Sequence, residues 1–430
     1  MSEHLRKLSP GRIVVLGFAF VILTGSLILW LPISANEGVH VNYIDALFTS
    51  TSAVCVTGLI AVDTADTFNV FGRTVVALLI QIGGLGVTCV GVGFILLAGK
   101  KIGIHGRVLI RDSMNLTTVK GVVALVESIL FMTLLFEGIG AFLSFLVFSR
   151  DYPALDALGI SVFHSVAAFN NSGFDILGGL TNLIPYQDNV LLNLTTCGLI
   201  IFGLGFLVIR EVWAKRSWKK LSLHSKVVIL TSAVLLAAGT ILLKMTEEIT
   251  WLGALFQSTS ARTAGFSTYP IGNFSNAGLF VLAILMFLGA SPGSTGGGIK
   301  TTTTFVLVKS MFSAATNRHC SAFKRRISPE VISQAFIITI LALGVVCMQT
   351  FLMCLVEPEY DFMKLLFETV SAFGTVGLST GITPDLNGCA KLILVLTMFI
   401  GRLGPLTIAT IWSFKPKAGA WYSEETITIG

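Results

Sequence analysis

The chain has 430 residues, 53% of them hydrophobic and only 12% charged, and it carries a net charge of +6 at pH 7. This composition, with a mean hydropathy of +0.84, excludes a soluble globular domain and indicates an integral membrane protein. Its seven cysteines form no CxxC pair, which argues against a disulfide framework or a zinc site.

Several apolar runs are long enough to cross a hydrocarbon core of ~30 Å, which takes about 20 helical residues. Predicted outer spans cover residues 13–31, 122–148, 227–243 and 331–356, and predicted inner spans cover residues 74–98, 190–209, 277–312 and 392–412. A glycine-rich segment interrupts the third inner span. The first run lacks a small-residue cleavage site after Leu31, so we expect it to be retained as a span rather than removed as a signal peptide.

A short amphipathic stretch rich in Phe, Ser, Thr and Ala lies between each outer and inner run and ends in a glycine turn. The stretches are residues 46–53, 162–169, 255–261 and 365–372, and the turns are residues 54–59, 170–175, 262–266 and 373–378. Gly58, Gly173, Gly265 and Gly377 occupy matching places in these turns. Glycine adopts positive φ without steric cost, and non-helical backbone at membrane depth is tolerated only where it is buried or lines a water-filled cavity.

The pattern predicts an all-α integral membrane protein, with four repeats of outer helix, pore helix, filter loop and inner helix around one pseudo-fourfold pore. The predicted repeats are residues 1–98, 99–211, 212–312 and 313–430, the last of which includes a C-terminal tail. Backbone carbonyl groups aimed at one point can replace the water shell of a cation without adding a full charge. The four turns are therefore predicted to form an ion-selectivity filter.

The charged residues alternate along the chain. Most of the 29 Lys and Arg lie within residues 6–12, 100–120, 210–226, 309–326 and 415–417, which are the two termini and every second connection. Acidic residues are concentrated in the other connections. The positive-inside rule then predicts a multi-pass protein with both termini in the cytoplasm and the four turns on the outer side. The same placement argues against nucleic acid as a partner.

The four-unit layout resembles the Trk/Ktr/HKT superfamily of potassium transporters, and in particular the Ktr membrane subunit (KtrB-like), over nearly the whole chain. The most specific segments are residues 51–59, 168–175, 260–268, 289–300 and 399–405. The resemblance implies potassium-selective, channel-like uptake across the plasma (inner) membrane, gated by an intramembrane loop and by a cytosolic nucleotide-binding ring. It also implies a preference for potassium over sodium, because glycine rather than serine occupies all four filter positions.

Potassium is expected at the main-chain oxygens of the four turns, and no organic cofactor is expected on this chain. The predicted filter residues are Cys55, Val56, Thr57, Gly58, Asn171, Ser172, Gly173, Thr263, Ala264, Gly265, Thr375, Val376 and Gly377. The side chains of Asn170, Asn171 and Ser172 are expected either to form hydrogen bonds behind the second turn or to cap it.

The interruption of the third inner span contains one proline and several glycines, so a continuous helix is not expected there. We predict a flexible loop beneath the filter, and the resemblance assigns it the role of a gate. Its spacing superficially matches a phosphate-binding loop, but the lysine is displaced by Ile299 and no soluble strand precedes it. The predicted gate residues are Gly289, Ala290, Ser291, Pro292, Gly293, Ser294, Thr295, Gly296, Gly297, Gly298, Lys300 and Arg402.

Three cationic residues lie in or beside apolar runs. Arg402 should face the bundle interior or water; the resemblance places it in the permeation path as an electrostatic barrier, and the alternative is a structural arginine that caps helix-end carbonyls. Arg262 is expected to support the third turn. Lys300 could reach the cytoplasmic side or pair with an acid. The small residues within 81–86 are typical of close helix packing.

The resemblance also implies partners. It predicts a homodimer in which each subunit holds its own pore, and a cytosolic KtrA-type ring that carries the nucleotide. The basic connections 100–111, 215–226 and 318–326 are candidate contacts for that ring or for anionic lipid headgroups of the bilayer. Residues 421–430 are a candidate part of the dimer interface.

Two other functions remain open from the sequence. One is a tightly coupled sodium- or proton-driven potassium symporter, whose candidate intramembrane acids are Glu127 and Glu137. The other is a membrane-anchored enzyme or receptor, which we do not expect. His164 and His319 are isolated in the sequence, and no catalytic group of residues accompanies them.

Overall fold

The computed structural model describes residues 10–97, 103, 106–108, 120–203, 205–410 and 425. Most of the described chain is helical. The basic connection at 100–111 lies largely outside the described residues, and the predicted interface segment 421–430 lies outside them except for Glu425.

The helices follow the order that the repeat pattern predicts. The first unit contains α1 (Pro10–Trp30), α2 (Tyr43–Cys55), α3 (Thr64–Thr67), α4 (Val70–Leu85) and α5 (Val87–Leu97), and the second contains α6 (Val122–Phe148), α7 (Ala154–Phe169), α8 (Val190–Gly203) and α9 (Phe206–Lys215). The third contains α10 (Leu223–Thr246), α11 (Trp251–Ser260), α12 (Asn276–Phe287) and α13 (Thr301–Ala315). A small hairpin of β1 (Ser321–Ala322) and β2 (Arg325–Arg326) precedes α14 (Pro329–Val356), α15 (Phe362–Gly374), α16 (Gly388–Leu403) and α17 (Pro405–Thr410).

The predicted outer spans are long, continuous helices. Within the described ranges, α1, α6, α10 and α14 are the four single helices long and apolar enough to cross a membrane. In the 18-residue apolar stretch of each of these helices, only 17% to 33% is buried inside the protein. The remaining apolar surface, including Phe20 and Phe131, faces outward, as expected of helices surrounded by lipid tails.

Three outer helices contact the predicted pore helices that follow them (α2, α7 and α11) in the same way, with a glycine of the outer helix opposite a serine of the pore helix. The pore-helix hydroxyls of Ser50, Ser165 and Ser258 donate hydrogen bonds to outer-helix carbonyls of Ile22 (2.7 Å), Glu137 (2.7 Å) and Leu236 (3.0 Å). Gly25, Gly140 and Gly239 lie beside these hydroxyls, and a Cβ atom there would come within 2.4–2.6 Å of them. In the fourth unit Thr369 instead bonds to Leu365 of its own helix.

The inner spans differ from the sequence prediction, because the first, second and fourth were expected to be continuous. Each is broken in two. Gly86 and Gly404 have φ of 84° and 87° with ψ near 135°, a conformation that ends a helix and that glycine adopts readily. In the second unit, α8 and α9 make an angle of 91°. The third span is interrupted by a longer loop between Phe287 and Thr301, as predicted.

An ion pair joins the last unit of the chain to the first. Lys391 at the start of α16 donates a hydrogen bond of 2.8 Å to the carboxylate of Asp45 in α2. The side chains retain only 10% and 18% of their exposure, so both charges depend on each other for solvation. The last unit is thereby attached to the first.

Replacing Lys391 with Met should lower the free energy of unfolding by about 3 kcal/mol, because Asp45 is left as an uncompensated charge in a largely buried place. Thermal unfolding of the detergent-purified protein measures this loss. The double variant Asp45→Asn/Lys391→Met should recover much of it, because no charge is then left unpaired. Equal losses in the single and double variants would contradict the ion-pair interpretation.

Candidate functional site

The four glycine turns contact one another in closed cyclic order. Each glycine lies against the backbone of the next turn, and the fourth lies against the first. A Cβ atom on Gly58, Gly173, Gly265 or Gly377 would lie 2.1, 2.8, 2.2 or 2.2 Å from the carbonyl oxygens of Ser172, Ala264, Val376 and Thr57, respectively. Any side chain would collide with neighbouring backbone, so this approach requires glycine. All the predicted filter residues are buried in this ring.

The backbone is left-handed at the same two places in every turn. The residues two positions before each glycine have φ of 57° (Val56), 59° (Asn171), 77° (Thr263) and 48° (Thr375), and the glycines have φ of 92°, 68°, 78° and 97°. Left-handed backbone costs a non-glycine residue roughly 1–2 kcal/mol. Such strain persists only where the surroundings impose it, most often at functional sites. At Val56, Thr263 and Thr375 the sequence gives no sign of this feature, because Val and Thr carry no signal for positive φ.

Serine side chains near the ends of the pore helices hold three of the turns. Ser52 Oγ accepts from the Gly58 amide (3.0 Å) and donates to the Leu59 carbonyl (2.6 Å). Ser371 accepts from the Gly377 amide at 3.1 Å, and Ser260 donates to the Phe266 carbonyl at 2.5 Å. These bonds satisfy backbone groups that a helix would otherwise pair internally.

The second turn is held differently, because Ala167 replaces the serine. There Ser172 Oγ donates to the Ala167 carbonyl at 3.2 Å. The side-chain amide of Asn170 donates to Gln81 Oε1 (2.8 Å) and Glu137 Oε1 (3.1 Å). Asn170 therefore connects this turn to α4 and α6, which agrees with a role behind the turn.

Some polar atoms at the turns have no hydrogen-bond partner within the described part of the chain. They are Thr57 Oγ1, Thr263 Oγ1, and both side-chain polar atoms of Asn171. Buried polar groups in native proteins are nearly always paired with protein, water or ions. Their position at the ring suits a place where water or a cation completes the pairing.

The loop that interrupts the third inner span lies directly against two of the turns. The amide of Gly297 donates to Thr375 Oγ1 at 2.8 Å, and a Cβ atom on Gly296 would lie 2.1 Å from Thr263 Oγ1. Thr295 donates to the Gly203 carbonyl at the end of α8 at 3.4 Å. Thr295, Gly296 and Gly297 are buried, whereas Gly293 is exposed. The small side chains of this loop permit its close contact with the turns.

Lys300 closes the loop on itself. Its ammonium group donates to the carbonyl oxygens of Gly296 (2.5 Å) and Gly297 (3.4 Å), and the Thr301 amide bonds to the Ala290 carbonyl at 3.1 Å. The two alternatives left open by the sequence, the cytoplasmic side or an acid, are therefore not what the structure contains. The charge is instead solvated by the loop carbonyls.

The two arginines bind neighbouring helices. Arg402 donates to the Gly83 carbonyl near the end of α4, and its guanidinium lies 5.9 Å from the centre of the Phe18 ring. This is the helix-end contact that the alternative interpretation of Arg402 anticipated. Arg262 donates to the hydroxyl (2.9 Å) and carbonyl (3.3 Å) of Ser232 in α10, and so attaches the third turn to its outer helix.

Acidic residues lie at the end of the second turn and in the connection after the first. Asp63 accepts from the Leu180 amide (2.7 Å), and Asp66 accepts from the Gly179 amide (3.0 Å), so both connect the first unit to the second. Asp175 is half-buried at the end of the second turn. Burial, with a smaller contribution from Asp63 and Asp66, raises the pKa of Asp175 to about 7.

Comparisons with known proteins match the whole chain. A family model described as the cation transport protein TrkH matches residues 12–250 and 227–422. The potassium/sodium uptake protein NtpJ of Enterococcus hirae is 36% identical over 100% of this chain and 99% of its own length. The Ktr system potassium uptake protein B of Bacillus subtilis is 35% identical over 99% of this chain and 97% of its own.

A solved structure has the same fold. The crystal structure of the potassium transporter TrkH from Vibrio parahaemolyticus superposes with a TM-score of 0.76 at 19% identity, covering 95% of this chain and 86% of that chain.

Asp175→Asn should raise the melting temperature of the purified protein at pH 8, and the gain should narrow as the pH falls to 5. The sign follows from the pKa: a carboxyl group raised from 3.8 to about 7 on folding stabilises the fold while protonated, and this contribution is lost as the pH rises through 7. The exposed Asp188 supplies the control variant Asp188→Asn. A gain in melting temperature that does not change with pH would contradict the raised pKa of Asp175.

Proposed function

The chain belongs to the TrkH family of cation transport proteins, and from this premise we propose that it is the pore-forming subunit of a potassium uptake system in the plasma membrane. Potassium would pass through the ring of glycine turns in a channel-like manner. The observation that carries this proposal is the closed cyclic contact of Gly58, Gly173, Gly265 and Gly377 with the carbonyl oxygens of the next turns.

The chemistry of the ring suits a dehydrated monovalent cation. Carbonyl oxygens provide ligands without a full charge that would trap the ion, and the left-handed positions hold these oxygens in one repeated arrangement. The predicted filter residues would supply them from four sides. Four units around one pseudo-fourfold pore, each with two spans, is the architecture in which this ring has a physical role. The recurrent glycine–serine contacts and the broken inner helices support it.

The loop beneath the ring is proposed as the gate. Thr295, Gly296 and Gly297 lie against two turns and the end of α8, so an ion leaving the ring on that side would meet them. Because the segment is held by a few hydrogen bonds of the side chains of Thr375, Thr295 and Lys300, it can be displaced without unfolding a helix. Arg402 is proposed to act beside it as an electrostatic barrier, held in place by its bond to Gly83.

The proposed orientation places both termini in the cytoplasm and the turns on the outer face. The Ktr system name of the relative from Bacillus subtilis supports a protein that works within a system of several subunits. We propose that the chain forms a homodimer and works with a cytosolic KtrA-type nucleotide-binding ring. The nucleotide would then bind to that partner and not to this chain. The acidic residues Asp63, Asp66 and Asp175 would attract cations to the outer mouth.

The coupled symporter receives no specific support from the two candidate acids. Glu127 is exposed near the start of α6, and Glu137 is bound to the amide of Asn170 behind the second turn. Neither arrangement provides an obvious site for a second transported ion. The channel-like mechanism is therefore proposed ahead of it.

The proposal is tested by ion flux into vesicles containing purified protein, with no sodium and no pH gradient present. Wild type should carry potassium under these conditions and exclude sodium by at least tenfold. Gly377→Ser should reduce this preference severalfold, because the new Cβ atom would lie 2.2 Å from the Thr57 carbonyl oxygen and must displace it.

Gly381→Ser is the matched control. Gly381 has a similar φ of 93°, but nothing lies within 4 Å of an added Cβ atom. Serine at position 381 therefore introduces a backbone strain similar to that of serine at 377 but does not contact the ring of turns. The selectivity of Gly381→Ser should equal that of wild type. Equal selectivity in all three proteins would remove the filter assignment. Flux that requires a sodium or proton gradient would favour the symporter.

Lys300→Gln should raise potassium flux about tenfold in the same vesicles. Loss of a hydrogen bond from a charged donor costs about 1.5–3 kcal/mol, so the closed arrangement of the loop becomes less populated. Lys309→Gln, on the helix α13 that begins directly after Lys300 and also half-buried, is the control and should leave flux unchanged. Wild-type flux in Lys300→Gln would show that this contact does not hold a gate closed.

A further inference from the structure

A groove of about 670 Å³ lies where α9 turns back into α10. Its walls are apolar along most of their length, with Phe202, Val212 and Ile229 among them. Its other end is polar and cationic, formed by Arg216 and Ser217 beside the ring of Trp218. The groove therefore has the two-part character of an amphipathic ligand.

The depth of the groove in the bilayer follows from α10. This helix has 24 residues and so spans about 36 Å at 1.5 Å per residue, which places Leu223 at one membrane interface. Ser222, just before it, bonds to Glu211 of α9 at 2.9 Å, so the last turn of α9 lies at the same level. Ile229 is about 9 Å deeper. The groove thus runs from the headgroup level into the hydrocarbon.

The aromatic residues at this end agree with that depth. Trp213 and Trp218 are 57% and 48% exposed, and tryptophan is enriched at membrane–water interfaces, where its ring meets the headgroups. Because apolar walls at this depth have lipid tails rather than water beside them, an acyl chain is the occupant that fits the inner part of the groove.

The charge at the polar end of the groove, beside Arg216 and Ser217, selects the lipid headgroup. Glu211 is the acidic residue there, and it is engaged by Lys215 (2.5 Å) and by the hydroxyl of Ser222 (2.6 Å). These bonds pair the carboxylate of Glu211 within the protein. Arg216, Lys219 and Lys220 are exposed and leave an excess of positive charge.

This part of the chain is also connected to the proposed gate. The side chain of Leu207 in the first turn of α9 would lie 3.2 Å from a Cβ atom on Gly293, and the Gly203 carbonyl at the end of α8 accepts from Thr295. Movement of α9 would therefore reach the loop at Gly293, while the end of α8, which precedes α9 in the chain, holds Thr295.

We propose that this groove binds one anionic phospholipid of the cytoplasmic leaflet, with an acyl chain against Val212 and Ile229 and the phosphate on Arg216 and Ser217. The bound lipid fixes α9 against the loop and so regulates flux. The leaflet and the regulation rest on the proposed function, whereas lipid binding itself does not.

Lipid binding is measured first, by native mass spectrometry of the full chain titrated with phosphatidylglycerol or with phosphatidylcholine of the same acyl chains. Wild type should bind the first phosphatidylglycerol molecule at least fivefold more tightly. Arg216→Gln should reduce this preference about fivefold, equivalent to the ~1 kcal/mol that one basic side chain contributes near an anionic surface. Arg150→Gln, an exposed basic residue just after α6 and outside the basic connections, should retain it.

Val212→Phe tests the apolar part, because a phenyl ring would fill the acyl position and weaken binding of both lipids. Equal affinity for the two lipids in wild type would overturn the proposal, as would equal behaviour of Arg216→Gln and Arg150→Gln. Protection of the groove by a soluble nucleotide-binding subunit in place of lipid would also overturn it, and would assign the surface to that partner.

The regulatory part is measured as potassium flux in vesicles with and without phosphatidylglycerol. Flux should change severalfold with the anionic lipid in wild type and not in Arg216→Gln. Flux that does not depend on the lipid would contradict the regulatory part of the proposal. The titration would still decide whether the lipid binds to the groove. Absence of any flux would count against the proposed function, and the mass spectrometry would still decide the lipid site.

Discussion

Backbone groups at membrane depth must find hydrogen-bond partners inside the protein, and the structure is organised around four places where a helix does not provide them. At each turn the chain leaves the pore helix and adopts left-handed backbone. The released amides and carbonyls are taken up by Ser52, Ser260 and Ser371 or, in the second turn, by Ser172. In three of the turns the geometry is thus imposed by serine side chains near the end of the preceding helix, whereas in the second turn Ser172 of the turn itself bonds back to that helix.

The surrounding helices keep those side chains in position. Outer-helix glycines allow the pore helices to approach closely enough for serine-to-carbonyl bonds in three units. Asn170 and Arg262 attach individual turns to α4, α6 and α10. These contacts are polar and directional, so they determine position more than they add stability, whereas the apolar outer faces are left to the lipid.

Sequence patterns located the long outer helices, the pore helices and the four glycines, because hydropathy and glycine placement are local properties. They did not show that Gly86 and Gly404 break the inner helices, since glycine in a membrane helix is equally compatible with close packing. Left-handed Val56 and Thr375 carry no local signal at all. The partners of Lys300 and Arg402 are backbone carbonyls, which have no residue identity that a sequence could reveal. Each of these features depends on long-range contacts.

The cyclic order of the turns has a consequence for biosynthesis. Gly377 contacts the backbone at Thr57 and Gly58, and Lys391 binds Asp45. The ring is therefore closed by contacts between the last unit and the first. While the last unit is still in the ribosome, the first turn has no neighbour on that side. The ring of turns therefore closes only after the last unit has been synthesised. A chain that stops before Gly377 leaves the first turn without its neighbour on that side.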